Sequence, residues 1–406
     1  MKSVRRLSIA ALVVACTHLV FGAIVRISGS GLGCGENWPK CYGYWFPPLS
    51  RPDLVIEVSH RYLASILTLT VLSLATAAWL ARREPDVAGR GGPMRSAFGA
   101  VAAVFAAALL GGLTVKEGNA WWATVAHWLV AMTLLALVTA TAIRAGMLGG
   151  KSAAVQHGTQ RARRSARAAA GLAIFAVALG GVTAKIPDGA IGCSTVPMCA
   201  PAAGVSRTAT YVQMTHRAAA VLLVLHLFGM VMMVRKRRSE EAPIVVRATY
   251  IAFGMVILQL VVASSMILLH LPPVLRSLHE ATGVGIWLAC FALAYLAHRV
   301  AGHPEPAVVI PSDPAVVIPS DPAVVIPSEV EESGLVAERG PTSPDPSTPS
   351  LRSVARDDTK GESLRSVARD DTRGESLRSV ARDDTVETKP KPAPTMAVIV
   401  ARGADL

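Results

Sequence analysis

Acidic side chains are scarce over most of this chain. Of its 28 Asp and Glu, ten lie before residue 303, where they are outnumbered by 28 Lys and Arg. Charged residues fill 17% of the 406 positions and hydrophobic ones 52%, with a mean hydropathy of +0.44. A soluble domain carries about a quarter of its residues as charges, so this composition excludes one and indicates a polytopic membrane protein. Cysteine is sparse as well, at six. Cys34/Cys41 and Cys193/Cys199 form two distant pairs, a poor match to the four closely spaced ligands of a zinc site. Nothing aromatic interleaves with the basic residues, which argues against a nucleic-acid partner.

What is present is a set of eight apolar runs, near 7–27, 56–81, 97–115, 121–143, 168–185, 209–234, 248–269 and 278–298. Each is long enough to span about 30 Å of hydrocarbon. The first follows Lys2, Arg5 and Arg6. It reads as a retained helix, being too long for a signal peptide and showing no evident small-residue cleavage site. Arg161, Arg163, Arg164 and Arg167 follow the fourth run, and Arg235, Lys236, Arg237 and Arg238 the sixth. The positive-inside rule then places both termini in the cytoplasm of a multi-pass cell-membrane protein. On this topology both cysteine pairs face the oxidising side, where disulfides persist. Structural disulfides Cys34–Cys41 and Cys193–Cys199 are favoured, with a redox-active pair as the alternative, and Cys16 and Cys290 read as small buried residues.

The membrane part matches itself. Gly22-Ala-Ile-Val-Arg26 runs into Gly33-Cys34, and Gly181-Val-Thr-Ala-Lys185 runs into Gly192-Cys193, both at the same spacing. Each unit holds four runs, an even number, so the two keep one orientation and form a parallel repeat. The expected fold is all-α, with eight transmembrane helices as two pseudo-symmetric four-helix bundles. Residues 1–143 make the first unit, 144–167 a basic cytoplasmic linker, and 168–302 the second unit. From 303 to 406 the chain is Pro-, Ser- and charge-rich. Pro-Ala-Val-Val-Ile-Pro-Ser recurs three times from Pro306, and Leu-Arg-Ser-Val-Ala-Arg-Asp-Asp-Thr three times from Leu351. Such a tail buries too little surface to offset its ordering entropy; it is expected to be disordered, and no function is assigned to it.

Four histidines carry the chemistry. His60, His127, His216 and His279 each lie near the outer end of an even-numbered run, no more than about seven residues in, or roughly 10 Å at 1.5 Å per residue. His60-Arg61 recurs as His216-Arg217, and His127 as His279. A single imidazole in a membrane helix reads as a core residue bonded to a neighbour. Four in one slab fit two bis-histidine iron sites, one per four-helix unit, each a flat slot between facing helices. The remaining histidines, His18, His226, His270, His157, His298 and His303, read as structural or surface residues.

Glu57 lies three residues before His60 on the same helix face, and Gln213 takes that place before His216. The asymmetry suggests that one half holds a cofactor while the other does proton chemistry, the plain alternative being an interfacial Glu. Arg61 and Arg217 are candidates either for haem propionates or for snorkelling to the surface. Glu280 and Glu117 read as loop or interface residues. Trp38, Trp45, Trp121 and Trp122 read as an aromatic belt.

Taken in order, these residues resemble the haem A synthase family. The matching positions are Gly33-Cys34, Pro39, Cys41, Glu57-Val-Ser-His60-Arg61, Gly111-Gly112-Leu-Thr and His127. The second half adds Gly180-Gly181-Val-Thr-Ala-Lys185, Gly192-Cys193, Pro197, Cys199, Thr215-His216-Arg217 and His279. The resemblance covers about 1–300 and says nothing of the tail. It implies an oxidoreductase that converts the C8 methyl of farnesylated haem O to a formyl group in two steps, giving haem A for terminal oxidases. It further implies a resident haem b held by His216 and His279, and haem O held by His60 and His127 with Glu57 near the reacting edge. Implied partners are the bilayer, haem O synthase and an electron partner, and a homo-oligomer is compatible with it. Two other classes remain: a di-haem membrane cytochrome that only passes electrons, and a transporter. The latter would place its polar groups at the bilayer midplane rather than near one edge.

Overall fold

The computed structural model describes residues 1–302, except 36, 38, 39 and 202. Trp38, Pro39, His303 and the repetitive tail therefore lie outside the described residues.

Among the described residues, eight helices are long and apolar enough to cross a membrane. They are α1 (Lys2–Ile27), α2 (Pro52–Leu80), α3 (Met94–Lys116), α4 (Trp121–Arg144), α5 (Gln160–Lys185), α6 (Arg207–Lys236), α7 (Pro243–Leu268) and α8 (Pro273–Arg299). Local chemistry sets several of their starts. Pro52, Pro243 and Pro273 open α2, α7 and α8, where the missing N–H costs nothing and φ is already helical. The Thr159 and Ser206 side chains accept from Ala162 N–H and Ala209 N–H, capping α5 and α6. Inside the spans, Thr139, Thr249 and Thr68 return their hydroxyls to the carbonyl one turn back, so these hydroxyls are not stranded in hydrocarbon.

Helices α1–α4 close a ring through the contacts α1–α2, α2–α3, α3–α4 and α1–α4, and α5–α8 close another in the same order. The rings meet along α1–α8, α4–α8 and α4–α5, and one hydrophobic core runs through both. Small residues let the backbones approach: Ala97, Ala100, Ala166, Ala169 and Ala173 are fully buried, as expected where helix association rests on close packing rather than on water exclusion. At the centre of the seam Trp287 donates its indole N–H to Met132 O at 2.9 Å. Leu109 and Val261 are more than half exposed, which suits a lipid-facing surface.

The helices are longer than the apolar runs that announce them. Helix α1 begins at Lys2, and α5 begins at Gln160, so Arg161, Arg163, Arg164 and Arg167 extend a helix instead of lying in a linker loop. Arg163 bonds the carbonyls of Ala297 and Val300. Between α4 and α5 a short helix, Gly150–Ala153, leads to His157–Gly158, which pairs in parallel with Ala301–Gly302. Charged side chains thus satisfy chain ends that composition alone leaves as loop.

Candidate functional site

Each even-numbered helix brings its histidine in close to its start: His60 is eight residues from Pro52, His127 six from Trp121, His216 nine from Arg207 and His279 six from Pro273. All four line one continuous cavity of about 1760 Å³ to which all eight helices contribute. That exceeds the roughly 300–1,000 Å³ typical of a site for one drug-sized ligand. The two slots expected from the sequence are thus joined into one space.

Glycine makes room for the rings. A Cβ on Gly180 would sit 2.9 Å from His216 Cε1, one on Gly111 3.2 Å from His127 Cε1, and one on Gly22 3.3 Å from His60 Cε1. The neighbouring helix is therefore pressed against three of the four imidazoles. Their Nδ1 atoms are largely spoken for. His127 Nδ1 bonds Ala107 O at 2.8 Å and His216 Nδ1 bonds Ala176 O at 3.0 Å. A backbone carbonyl on Nδ1 puts the proton there and leaves Nε2 as the donor, the arrangement usual for metal-ligating histidine. His279 Nδ1 lies 3.0 Å from the Gln259 amide nitrogen, and Gln259 Oε1 accepts from Thr282. The rings of His216 and His279 are 6.4 Å apart, centroid to centroid, at 77°. His127 and His216, each with Nδ1 on a carbonyl and Nε2 free, are the rings best set to hold a haem iron, one in each half.

The external segments are tied down in parallel fashion. Glu57 is buried; its Oε2 accepts the Cys34 N–H at 2.7 Å and its Oε1 accepts from Arg61 at 2.5 Å. Arg61 also donates to Asn37 O at 2.8 Å. In the second half Gln213 is buried, with its nitrogen 3.4 Å from Ala190 O and its oxygen without a partner among the described residues. Arg217 donates to Thr195 O and Cys193 O. Both arginines therefore brace the loops rather than reach for open surface. Those loops are closed by disulfides Cys34–Cys41 and Cys193–Cys199. Trp45, Trp121 and Trp122 are about half exposed, as an interfacial belt would be.

Three residues of the cavity wall are not assigned to a site by the sequence. His18, expected to be structural, lines the cavity with its ring flat against His60, 4.2 Å between centroids and 4° between planes. Glu280, expected at a loop or interface, is instead paired with Arg26 of α1, and both side chains are only about 15% exposed. Gln259, beside His279, is the third. Arg26 also lies 5.8 Å from the ring of Trp128, so the ion pair sits in the seam beside the helix turns that bear His127 and His279. By contrast His226 bonds Ser165 O at 2.9 Å, a satisfied core histidine as expected.

A family model described as cytochrome oxidase assembly protein, COX15-CtaA, matches residues 5–291. The chain belongs to that family. It is 27% identical over 245 residues to a protein of Bacillus pumilus (strain SAFR-032) named Heme A synthase, covering 59% of this chain and 77% of that protein. A Heme A synthase of Geobacillus kaustophilus (strain HTA426) is 46% identical over 63 residues, which is 16% of this chain and 20% of that protein. A Thermus thermophilus protein named Protoheme IX farnesyltransferase is 41% identical over 86 residues, 21% of this chain and 13% of that one.

Proposed function

We propose that this chain is a haem A synthase, oxidising the C8 methyl of haem O to a formyl group in two steps. The observation that carries the reading is the shared cavity lined by the four expected histidines, two from each ring of helices, with His18 beside His60, in a chain of the COX15-CtaA family. In this reading residues 1–143 form the substrate unit and 168–302 the cofactor unit. His60 and His127 hold haem O; His216 and His279 hold a resident haem b. When bound, the resident haem supplies one-electron redox chemistry.

The protein's own groups do the rest. His127 and His216 present Nε2 to the cavity because their Nδ1 atoms are held by backbone carbonyls. Glu57 is the ionisable group that separates the two halves, and its Oε1 and Oε2 are the atoms able to hold a proton close to the His60 turn. Arg61 fixes that carboxylate, and the Cys34 loop above it is locked by its disulfide. Six basic side chains line the cavity, Arg26, Arg61, Lys116, Lys185, Arg217 and Arg276, against Glu57 and Glu280. The surplus positive charge suits ligands that bring carboxylates, and haem propionates do so. The wide, apolar remainder of the wall suits a ring and its lipid-soluble tail. A relative named for protohaem farnesylation supports a substrate made by that reaction, and so a haem O synthase as the partner upstream. The basic clusters at Arg161–Arg167 and Arg235–Arg238 support a cell-membrane topology with both termini cytoplasmic.

Extraction of pigment from the purified full chain tests this directly. Haem b together with haem O or haem A is expected. Haem b alone, unchanged after haem O is supplied with a reductant and air, would favour the electron-transfer cytochrome and overturn the synthase.

A further inference from the structure

His60 is held differently from His127, His216 and His279. Those three have a partner at Nδ1, a carbonyl or the Gln259 amide. His60 Nδ1 is buried with no hydrogen-bond partner among the described residues, and the same is true of His18 Nδ1. What fixes the His60 ring is the parallel stack on His18, with Phe21 at 6.3 Å beyond. The stack belongs to the first half alone. Counting from Gly22 and Gly181, position 18 corresponds to 177, which is valine.

The two kinds of support differ in effect. An Nδ1–H bonded to a carbonyl both orients an imidazole and raises the basicity of Nε2, strengthening its bond to a metal. A stacked ring supplies the orientation without the basicity. We infer that His60 is the exchangeable axial ligand of the first-half site and that His18 is its positioning residue, holding the freed ring ready to rebind. His127, tethered through Ala107 O, is then the permanent ligand on the opposite face. The inference rests on the haem reading above. It adds that the half which must take up a haem and later release it carries one ligand with no partner at Nδ1, whereas both histidines of the other half are held at Nδ1.

The test uses the full-length chain in detergent, loaded with haem O, with His216→Ala serving to assign signals to each half. After reduction, carbon monoxide should bind the first-half haem at least ~10-fold faster than the second-half haem, the usual size of an outer-partner effect. His18→Phe, which keeps a flat ring, should leave that rate unchanged. His18→Val, the residue at 177, should lower the low-spin fraction of the first-half haem and leave the second-half spectrum alone. Independently, His60→Gly should retain haem O through His127, while His127→Gly should lose it. Equal carbon monoxide rates in the two halves, or loss of haem O from His60→Gly but not from His127→Gly, would overturn the assignment of the weak ligand. A His18→Phe variant that behaves like His18→Val would overturn stacking as the means of support. Failure of the unsubstituted chain to take up haem O would overturn the haem reading, and the inference with it.

Discussion

Glu57→Gln separates a chemical role for this carboxylate from a structural one. Glutamine keeps the volume and one acceptor, which can still take the Cys34 N–H. Its amide nitrogen then faces the Arg61 guanidinium, so the bond now 2.5 Å long is lost. A hydrogen bond between charged groups contributes about 1.5–3 kcal/mol; Arg61 is partly exposed and keeps Asn37 O, so the lower end applies. A loss near 1.5 kcal/mol is survivable, and Gln213 shows that glutamine is accommodated at the matching place in the second half. The variant should therefore insert, form its Cys34–Cys41 disulfide and keep its resident haem. Haem A formation should nonetheless fall at least tenfold, about 1.4 kcal/mol of barrier and a low threshold for losing an acid–base group. Chromatography of extracted haems reads the product, and the absorption spectrum reads the resident haem in the same sample. Near-normal haem A would remove Glu57 from the mechanism. Loss of haem A in step with loss of the disulfide and of bound haem would reduce its role to bracing the loop.

His216→Ala should abolish the resident low-spin haem spectrum; a full spectrum in that variant, with loss in His60→Ala instead, would mean that the halves are assigned backwards. Gly180→Ala should displace the His216 ring, because the new Cβ would lie 2.9 Å from Cε1, and should lower resident haem content more than Gly112→Ala, which meets nothing within 4 Å. Truncation after His303 should leave haem A formation intact, and a stable but inactive truncated chain would give the tail a role that its composition does not suggest.

The eight spans and four histidines are legible because hydrophobic length and repetition are properties of the chain itself. The same reliance on repetition hides His18. It has no counterpart in the second half, and that absence counts against it. A signal is nevertheless present, since His18, Gly22 and Arg26 are four residues apart and share one face of α1. Gln259 is also within reach: it stands 20 residues before His279, as Ala107 does before His127. The Arg26–Glu280 pair is not, because a residue's partner on a distant helix is decided by how α1 and α8 cross. The same holds for the joining of two slots into one cavity and for Glu241, which anchors the start of α5 by accepting from Thr159.

That ion pair also bears on how such a protein can change over time. Arg26 is contributed by the first ring of helices and Glu280 by the second, and each is mostly withdrawn from solvent. Removing either partner of a buried pair costs up to about 3–5 kcal/mol, because the survivor remains charged and largely withdrawn from water. Because the seam holds a charge from one ring of helices and its counter-charge from the other, neither position can change alone without stranding a charge, and the two rings are bound to vary together there.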